Sequence, residues 1–411
     1  MASDRELALS LLSPKAVRER SRLLYEAGLD GQLLHFHLHA EKLSALADYV
    51  IETINLNYPK GDIPFHARWR HFNSKGKDLW AEIDDKTQWA TLEDRGRAAY
   101  DLAITSVLLD AGAGPDWCFK DGKTKAVFSR SEGLGIASFR MFEKGAFSSK
   151  PQDKLRADAA KLANLTAADI AKGFQVSDEN KLLGLEGRAA LLRRLGDTMR
   201  ANHSIFSVAG YPRPAGLFNQ LTLKAVNKSL PASAILEMLL LHLGSIWPGR
   251  AKLGGLSLGD CWTHPLIKTR DATNGLIPFH KLSQWMSYSL IEPLEWAGYT
   301  VTDVDGLTGL PEYRNGGLFL DSGVINLKNP DDAKVAHAAG STLIVEWRAL
   351  TVALLDEIAK IIRQKLGKDA ILLPLAKILE GGTWSAGRRI AREKRADGGP
   401  PLSIISDGTV F

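Results

Sequence analysis

Apolar residues recur at helical spacing along most of the chain. Between residues 41 and 57, Leu43, Leu46, Ala47, Val50, Ile51 and Ile54 fall on one helical face. Ser13 followed by Pro14 reads as an N-cap with proline in the first helical position, and predicts a helix running to Gly28. Residues 95–110 predict another, ended by the glycines of the 110–114 stretch. Further helices are expected over 153–173, 186–200, 233–246, 281–297 and 346–366, with Gly298 and Gly367 placed as C-cap glycines.

Strand signals are fewer. Residues 34–39 alternate strictly, 299–304 are β-branched, 317–327 suit a hairpin, and 400–411 surround an Asp407-Gly408 turn. No repeat of solenoid period and no low-complexity linker interrupts the chain. The pattern predicts a mainly helical α+β protein with a few short strands. Residues 1–411 form one unit, with lobes at 1–150 and 151–411 if 148–153 is a boundary rather than a surface loop.

With 411 residues, the chain can bury a core without disulfide or metal support. Its 52 Lys and Arg against 47 Asp and Glu leave +5, without a basic tail, so general nucleic-acid coating is not indicated. Cys118 and Cys261 are far apart and form no CxxC pair, which excludes a disulfide framework. The amino-terminal segment carries charges throughout, and the most apolar stretch, 234–247, is short and interrupted by Glu237 and His242. A soluble, cytoplasmic protein with no membrane partner is expected.

Several stretches carry candidate chemistry. His35, His37 and His39 alternate with Leu34, Phe36 and Leu38; two imidazoles on one strand face could converge on a metal, but a solvated strand face explains the same pattern. The run PFHARWRHF at 64–72 mixes cations, imidazoles and aromatics, a composition that can stack a planar ring or form an amphipathic segment. GLPEYRNGG at 309–317 packs Glu312, Tyr313, Arg314 and Asn315 between turn residues, where loops on a rigid scaffold position ligand groups. Asp321 follows as a second carboxylate. Lys281, Gln284 and Tyr288 share a helix face, with Trp285 beside them. Glu346 and Arg348 open a helix, Glu346 leaning to its apolar side, where a charge needs a partner. EGGTWSAG at 380–387, then Arg388-Arg389, has the composition of an anion-binding corner without P-loop spacing. No GxSxG nucleophile is present.

Together GDCWTH (259–264), PFHKLSQW (278–285), 309–317, 345–350, 380–387 and SDGTVF (406–411) resemble the fungal and bacterial uracil catabolism protein four family over essentially the whole chain. That family is associated with a route of pyrimidine degradation that passes through a ribosylurea-type intermediate and releases urea. A more distant similarity, to queuosine 5′-phosphate N-glycosylases, rests on the order of three short motifs: Lys281 with Gln284, then Glu312-Tyr313-Arg314, then Glu346 with Arg348. The similarity implies a helical, two-lobed, DNA-glycosylase-like architecture. Where that family has Asp this chain has Glu312, one methylene longer.

The resemblances imply an N-ribosyl hydrolase acting on ribosylurea or its 5′-phosphate, without cofactor or metal. The expected catalytic residues are Glu312, with Asp321 in reserve and His264 as acid for the leaving nitrogen. Lys281, Arg314 and Arg388 would hold phosphate. Gln284 and Asn315 would bind the ureido group, Trp285, Tyr288 and Trp384 would wall the pocket, and Tyr313, Glu346 and Arg348 would complete the substrate contacts. The alternatives are an amidohydrolase of the same intermediate and a non-catalytic scaffold subunit.

Overall fold

The computed structural model describes residues 2–247 and 249–405. Helices dominate, and every sheet among the described residues has two strands. The protein is therefore mainly α with minor β content. The carboxy-terminal turn at Asp407-Gly408 and the 406–411 motif lie outside the described residues.

The chain forms two compact units, and both are discontinuous in sequence. The first contains 2–66, 249–284 and 303–405; the second contains 67–247 and 285–302. The chain changes unit at four points, near residues 66, 248, 284 and 302. The 148–153 stretch is a surface loop of the second unit, closed by Ser148 Oγ donating to the Asp153 carbonyl (2.7 Å).

In the first unit, the 25-residue helix Thr342–Leu366 is the central rod. Ser341 caps its start and Gly367, at φ +61°, ends it in the left-handed conformation that glycine adopts without strain. The helices Pro14–Leu29 and Leu43–Asn57 pack along it. Val17 and Leu24 meet Val345, Ala349 and Val352 there, with Ile267, Ile277 and Phe279 closing the same core. Ser13 accepts from the Ala16 amide, as its place before Pro14 predicts. The strand Phe36–Leu38 pairs antiparallel with Ile325–Leu327.

The expected hairpin over 317–327 is absent. Its first part is the helix Tyr313–Asp321, and only Ile325–Leu327 is a strand. Gly316 and Gly317, which read as turn residues, sit inside that helix because its neighbours leave no room. A Cβ on Gly316 would lie 2.7 Å from the Trp347 indole, and one on Gly317 3.1 Å from Pro401.

In the second unit the helices Leu92–Leu108 and Arg130–Glu143 are almost wholly buried and pack on each other. The helix expected over 153–173 is two short pieces, Ala159–Leu162 and Ala167–Gly173, because Asp158 and a Thr166–Asp169 capping box each start a new turn. Ser229–Pro231 and Thr300–Thr302 form a parallel pair. Among the described residues no helix is long and apolar enough to cross a membrane.

Candidate functional site

One polar cluster of the first unit forms where two short helices touch. Tyr313–Asp321 and Trp384–Lys394 approach so closely that a Cβ on Gly387 would lie 2.3 Å from the Arg314 carbonyl oxygen. Trp384, three residues before Gly387 and on the same helical face, is thereby laid against Arg314. The Arg314 guanidinium stands 4.2 Å from the indole centroid, and that of Arg388 stands 4.9 Å from it. Such stacking suits the planar guanidinium better than an ammonium. Arg314 Nε also donates to the Tyr313 hydroxyl at 3.1 Å.

Glu312 is the N-cap of the first of these helices. Its Oε2 accepts from the Arg314 amide (2.9 Å) and its Oε1 from the Asn315 amide (2.7 Å). The helix end thus holds the carboxylate in one orientation, where the dipole favours negative charge. Asn315 is fully buried; its Nδ2 donates to the Leu310 carbonyl at 3.2 Å, while its Oδ1 has no hydrogen-bond partner among the described residues.

A π-turn, Leu379–Thr383, precedes Trp384. The stretch whose composition suits an anion-binding corner thus has helical backbone. Gly381 and Gly382 serve close approach: a Cβ on Gly382 would meet Val50 at 2.7 Å and one on Gly381 would meet Ile63 at 3.0 Å. Insertion of the extra residue turns Glu380 toward His66, whose Nδ1 lies 2.7 Å from Oε2. The Tyr58 hydroxyl donates to Oε1 at 3.3 Å. The His66 ring in turn lies 5.8 Å from the Trp384 ring. Glu380, His66, Trp384, Arg314 and Glu312 are therefore linked by direct contacts. A groove of about 510 Å³ opens beside Trp384 and Arg388, lined also by Asn57, Arg389 and Arg392.

The other sequence candidates of this unit lie in separate knots. Arg348 makes a bidentate pair with Asp260 (2.8 and 2.7 Å) and covers the Phe279 ring at 4.2 Å. Asp260 also accepts from the Trp262 indole and the Lys281 amide. Burial pushes its carboxyl up, but Arg348, Trp262 and the Lys281 amide outweigh it and hold the carboxyl far below the ordinary range. The Gln284 carboxamide both donates to Thr308 Oγ1 (2.7 Å) and accepts its amide (3.3 Å).

Glu346 and His264 are completely buried, with Nε2 and Oε2 3.3 Å apart. The same carboxylate accepts the amides of Leu34, His35 and Phe36 at 2.9, 2.8 and 3.2 Å. Desolvation raises the Glu346 carboxyl, and His264 with the His35 and Leu34 amides brings it below its usual value. Asp321 forms a bidentate pair with Arg395 (2.7 and 2.6 Å) at the far end of the helix that Glu312 caps. At 1.5 Å per residue that is about 13 Å from Glu312.

His37 is exposed on its strand, His35 contacts Thr342 Oγ1 at 2.8 Å, and His39 lies 3.4 Å from Glu41. Among the described residues no three His, Cys, Asp or Glu side chains are grouped to hold a metal ion. Trp285 and Tyr288 are buried in the second unit. There the Arg68 guanidinium stands 5.5 Å from Trp285 and pairs with Asp110 at 2.8 Å, so Arg68 of the 64–72 run is engaged in that interior.

His66, Tyr58 and Glu380 were not singled out as site residues by sequence. His66 and Glu380 each lie in a stretch of notable composition, but 314 residues separate them and no spacing rule joins them.

Residues 10–411 match the family described as "Protein of unknown function (DUF1688)". The chain is 36% identical to "Uracil catabolism protein 4" of Lachancea kluyveri, over 97% of this chain and 98% of that protein. It is 38% identical to "Protein urg3" of Schizosaccharomyces pombe, over 99% of each. The similarity spans nearly the full length of each protein, and the chain belongs to the DUF1688 family.

Proposed function

We propose that the protein is an N-ribosyl hydrolase of uracil catabolism, cleaving ribosylurea or its 5′-phosphate to free urea. The name of the Lachancea relative supports the pathway. The observation that carries the reaction is Glu312: a carboxylate fixed by two helix-end amides next to a guanidinium stacked on Trp384. Loss of the C1′–N bond pair to nitrogen leaves positive charge on the sugar, as in O-glycoside cleavage. An oriented carboxylate stabilises that charge and takes a proton from the water that adds to C1′. Arg314 and Arg388 suit a 5′-phosphate, whereas Lys281 lies in the Asp260–Arg348 knot and is not part of this site. Trp384 and Tyr313 wall the site, and Asn315 Oδ1 can accept from a ureido N–H or a sugar hydroxyl, not from a carbonyl. Asp321, His264, Glu346, Arg348 and Gln284 are left to the fold in this reading. The partner is a small molecule, not nucleic acid or membrane.

Glu312→Gln is the test. It keeps one acceptor for the cap and removes the charge. Stability should fall by about 1 kcal/mol, as for a weakened N-cap, while kcat on ribosylurea or its 5′-phosphate drops at least about 10²-fold. Near wild-type kcat would remove Glu312 from the mechanism. Ammonia release with the ribosyl–nitrogen bond intact would replace the hydrolase reading with an amidohydrolase. No turnover of either compound, with tight binding of a partner enzyme, would replace it with a scaffold.

A further inference from the structure

The hydrolase reading accounts for the carboxylate and the cations but leaves the leaving nitrogen without a proton donor. Urea departing as its anion is unfavourable, so the electron pair arriving on nitrogen has to be met by a proton. The residue expected for this, His264, is enclosed with Glu346 and 1% exposed.

We infer that His66, oriented by Glu380, is the general acid of this site. The proposal rests on the N-ribosyl hydrolase reading. Its geometric basis is the contact chain around Trp384. The His66 ring lies 5.8 Å from the indole on which Arg314 stacks, tilted 49° to it, and Arg314 follows two residues after Glu312, whose carboxylate accepts its amide. Glu380 approaches Nδ1 at 2.7 Å; with a ring hydrogen between them, Nε2 is the nitrogen that would pass a proton on in this reading. Tyr58 occupies the other Glu380 oxygen, so the carboxylate cannot swing away without losing two partners. Its backbone is fixed as well. The π-turn that carries Glu380 is pinned by Gly381 and Gly382 against Ile63, Val50 and Ile54, and Asn57 Nδ2 donates to the Gly381 carbonyl at 3.3 Å. Single π-turns within helices recur at functional sites, because the extra residue redirects one side chain at a cost in helix regularity. Here the redirected side chain is Glu380.

The step balances without a further reactant. The C1′–N bond breaks with its electron pair going to nitrogen, and Nε2–H of the imidazolium passes its proton to that nitrogen. Water adds to C1′ and gives a proton to Glu312. Net transfer of that proton back to His66 through solvent restores the starting state.

A purely structural His66–Glu380 pair would fasten the turn and would not distinguish substrates. A general acid does, because a leaving group that is stable as an anion needs no proton. His66→Gln and Glu380→Gln should therefore be assayed against two compounds in parallel: ribosylurea 5-phosphate and 4-nitrophenyl ribofuranoside 5-phosphate. His66→Gln is expected to lower kcat on the urea compound by about 10²–10⁴-fold and on the nitrophenyl compound by less than tenfold. Glu380→Gln should show the same selectivity with a smaller loss. Imidazole added to His66→Gly should restore part of the lost rate on the urea compound. If His66→Gln does not fold, Glu380→Gln carries the same comparison. Equal losses on both compounds in a folded variant, or no loss on the urea compound, would overturn the acid role while leaving the hydrolase reading in place. A wild-type protein that cleaves neither compound would overturn both.

Discussion

Asp260→Asn tests whether Arg348 belongs to the fold or to the substrate. The wild-type guanidinium is 1% exposed and meets Asp260 through two hydrogen bonds of 2.8 and 2.7 Å. Asparagine keeps one acceptor but turns an NH₂ group toward the cation, leaving a buried charge uncompensated. Breaking such a pair costs about 3–5 kcal/mol. At about 2–4 °C per kcal/mol for a unit of this size, the melting midpoint should fall by roughly 6–20 °C. Asp260→Asn with Arg348→Met should recover most of that loss, because an apolar pair of similar volume is often neutral and Met can still cover Phe279. Differential scanning calorimetry of the two single variants and the double variant measures this directly. Acid adds an independent arm. A carboxyl held low in the folded chain contributes stability above its unfolded pKa of about 3.9 and loses it as the pH falls toward the folded value. The wild type should thus lose stability below about pH 4, and the double variant should lose less over the same window. A loss under about 1 kcal/mol in Asp260→Asn, or a double variant no more stable than the single, would refute the structural assignment. A stable double variant with KM raised tenfold would return Arg348 to the substrate.

Arg314→Lys keeps the charge but loses the planar stack on Trp384 and the bond to Tyr313. KM for a phosphorylated substrate should rise by about 10–150-fold, the equivalent of one charge-assisted contact, and an unchanged KM in steady-state kinetics would argue against phosphate binding there. Gly387→Ala puts a methyl 2.3 Å from the Arg314 carbonyl oxygen, so the two helices must part. Denaturant titration should show about 1–3 kcal/mol of destabilisation, together with loss of activity; an unaffected variant would mean that the helices yield without consequence.

What could be read from sequence was what local chemistry determines. Ser13-Pro14 and Gly367 mark helix ends because capping depends on residues within one turn, and the structure has both ends as expected. The helix Tyr313–Asp321 could not be read in the same way. Glutamate is not among the favoured N-caps, and two consecutive glycines argue against a helix on propensity alone. Both choices are explained only by what lies across the contact: Trp347 excludes a side chain at Gly316, and the cap doubles as the carboxylate of the candidate site. Gly381, Gly382 and Gly387 follow the same rule. They resemble a phosphate loop in composition, yet each answers a neighbour, at Ile63, Val50 and Arg314. The two-unit division was hidden for a related reason, since the chain passes between units inside the helix Lys281–Trp296, where periodicity is continuous.

The same non-local dependence separates residues that sequence places on equal terms. Arg314 and Arg348 each lie two residues after a glutamate, in Glu312-Tyr-Arg and Glu346-Trp-Arg, and spacing cannot rank them. Burial and partners do. Glu346 is enclosed with His264 and accepts the amides of 34–36, and Arg348 is paired with Asp260, so both side chains are engaged inside the unit. Glu312 is instead directed by amides of its own helix, and Arg314 lies on an indole that is itself only partly buried and borders a groove. A carboxylate oriented by helix-end amides keeps acceptor capacity for a developing cation, since each oxygen has more than one lone-pair site. One that already closes an internal ion pair has its field cancelled by its partner. That asymmetry, and not motif similarity, is the physical reason to seek the chemistry at Glu312 and Trp384, with His66 and Glu380 as its proton donor.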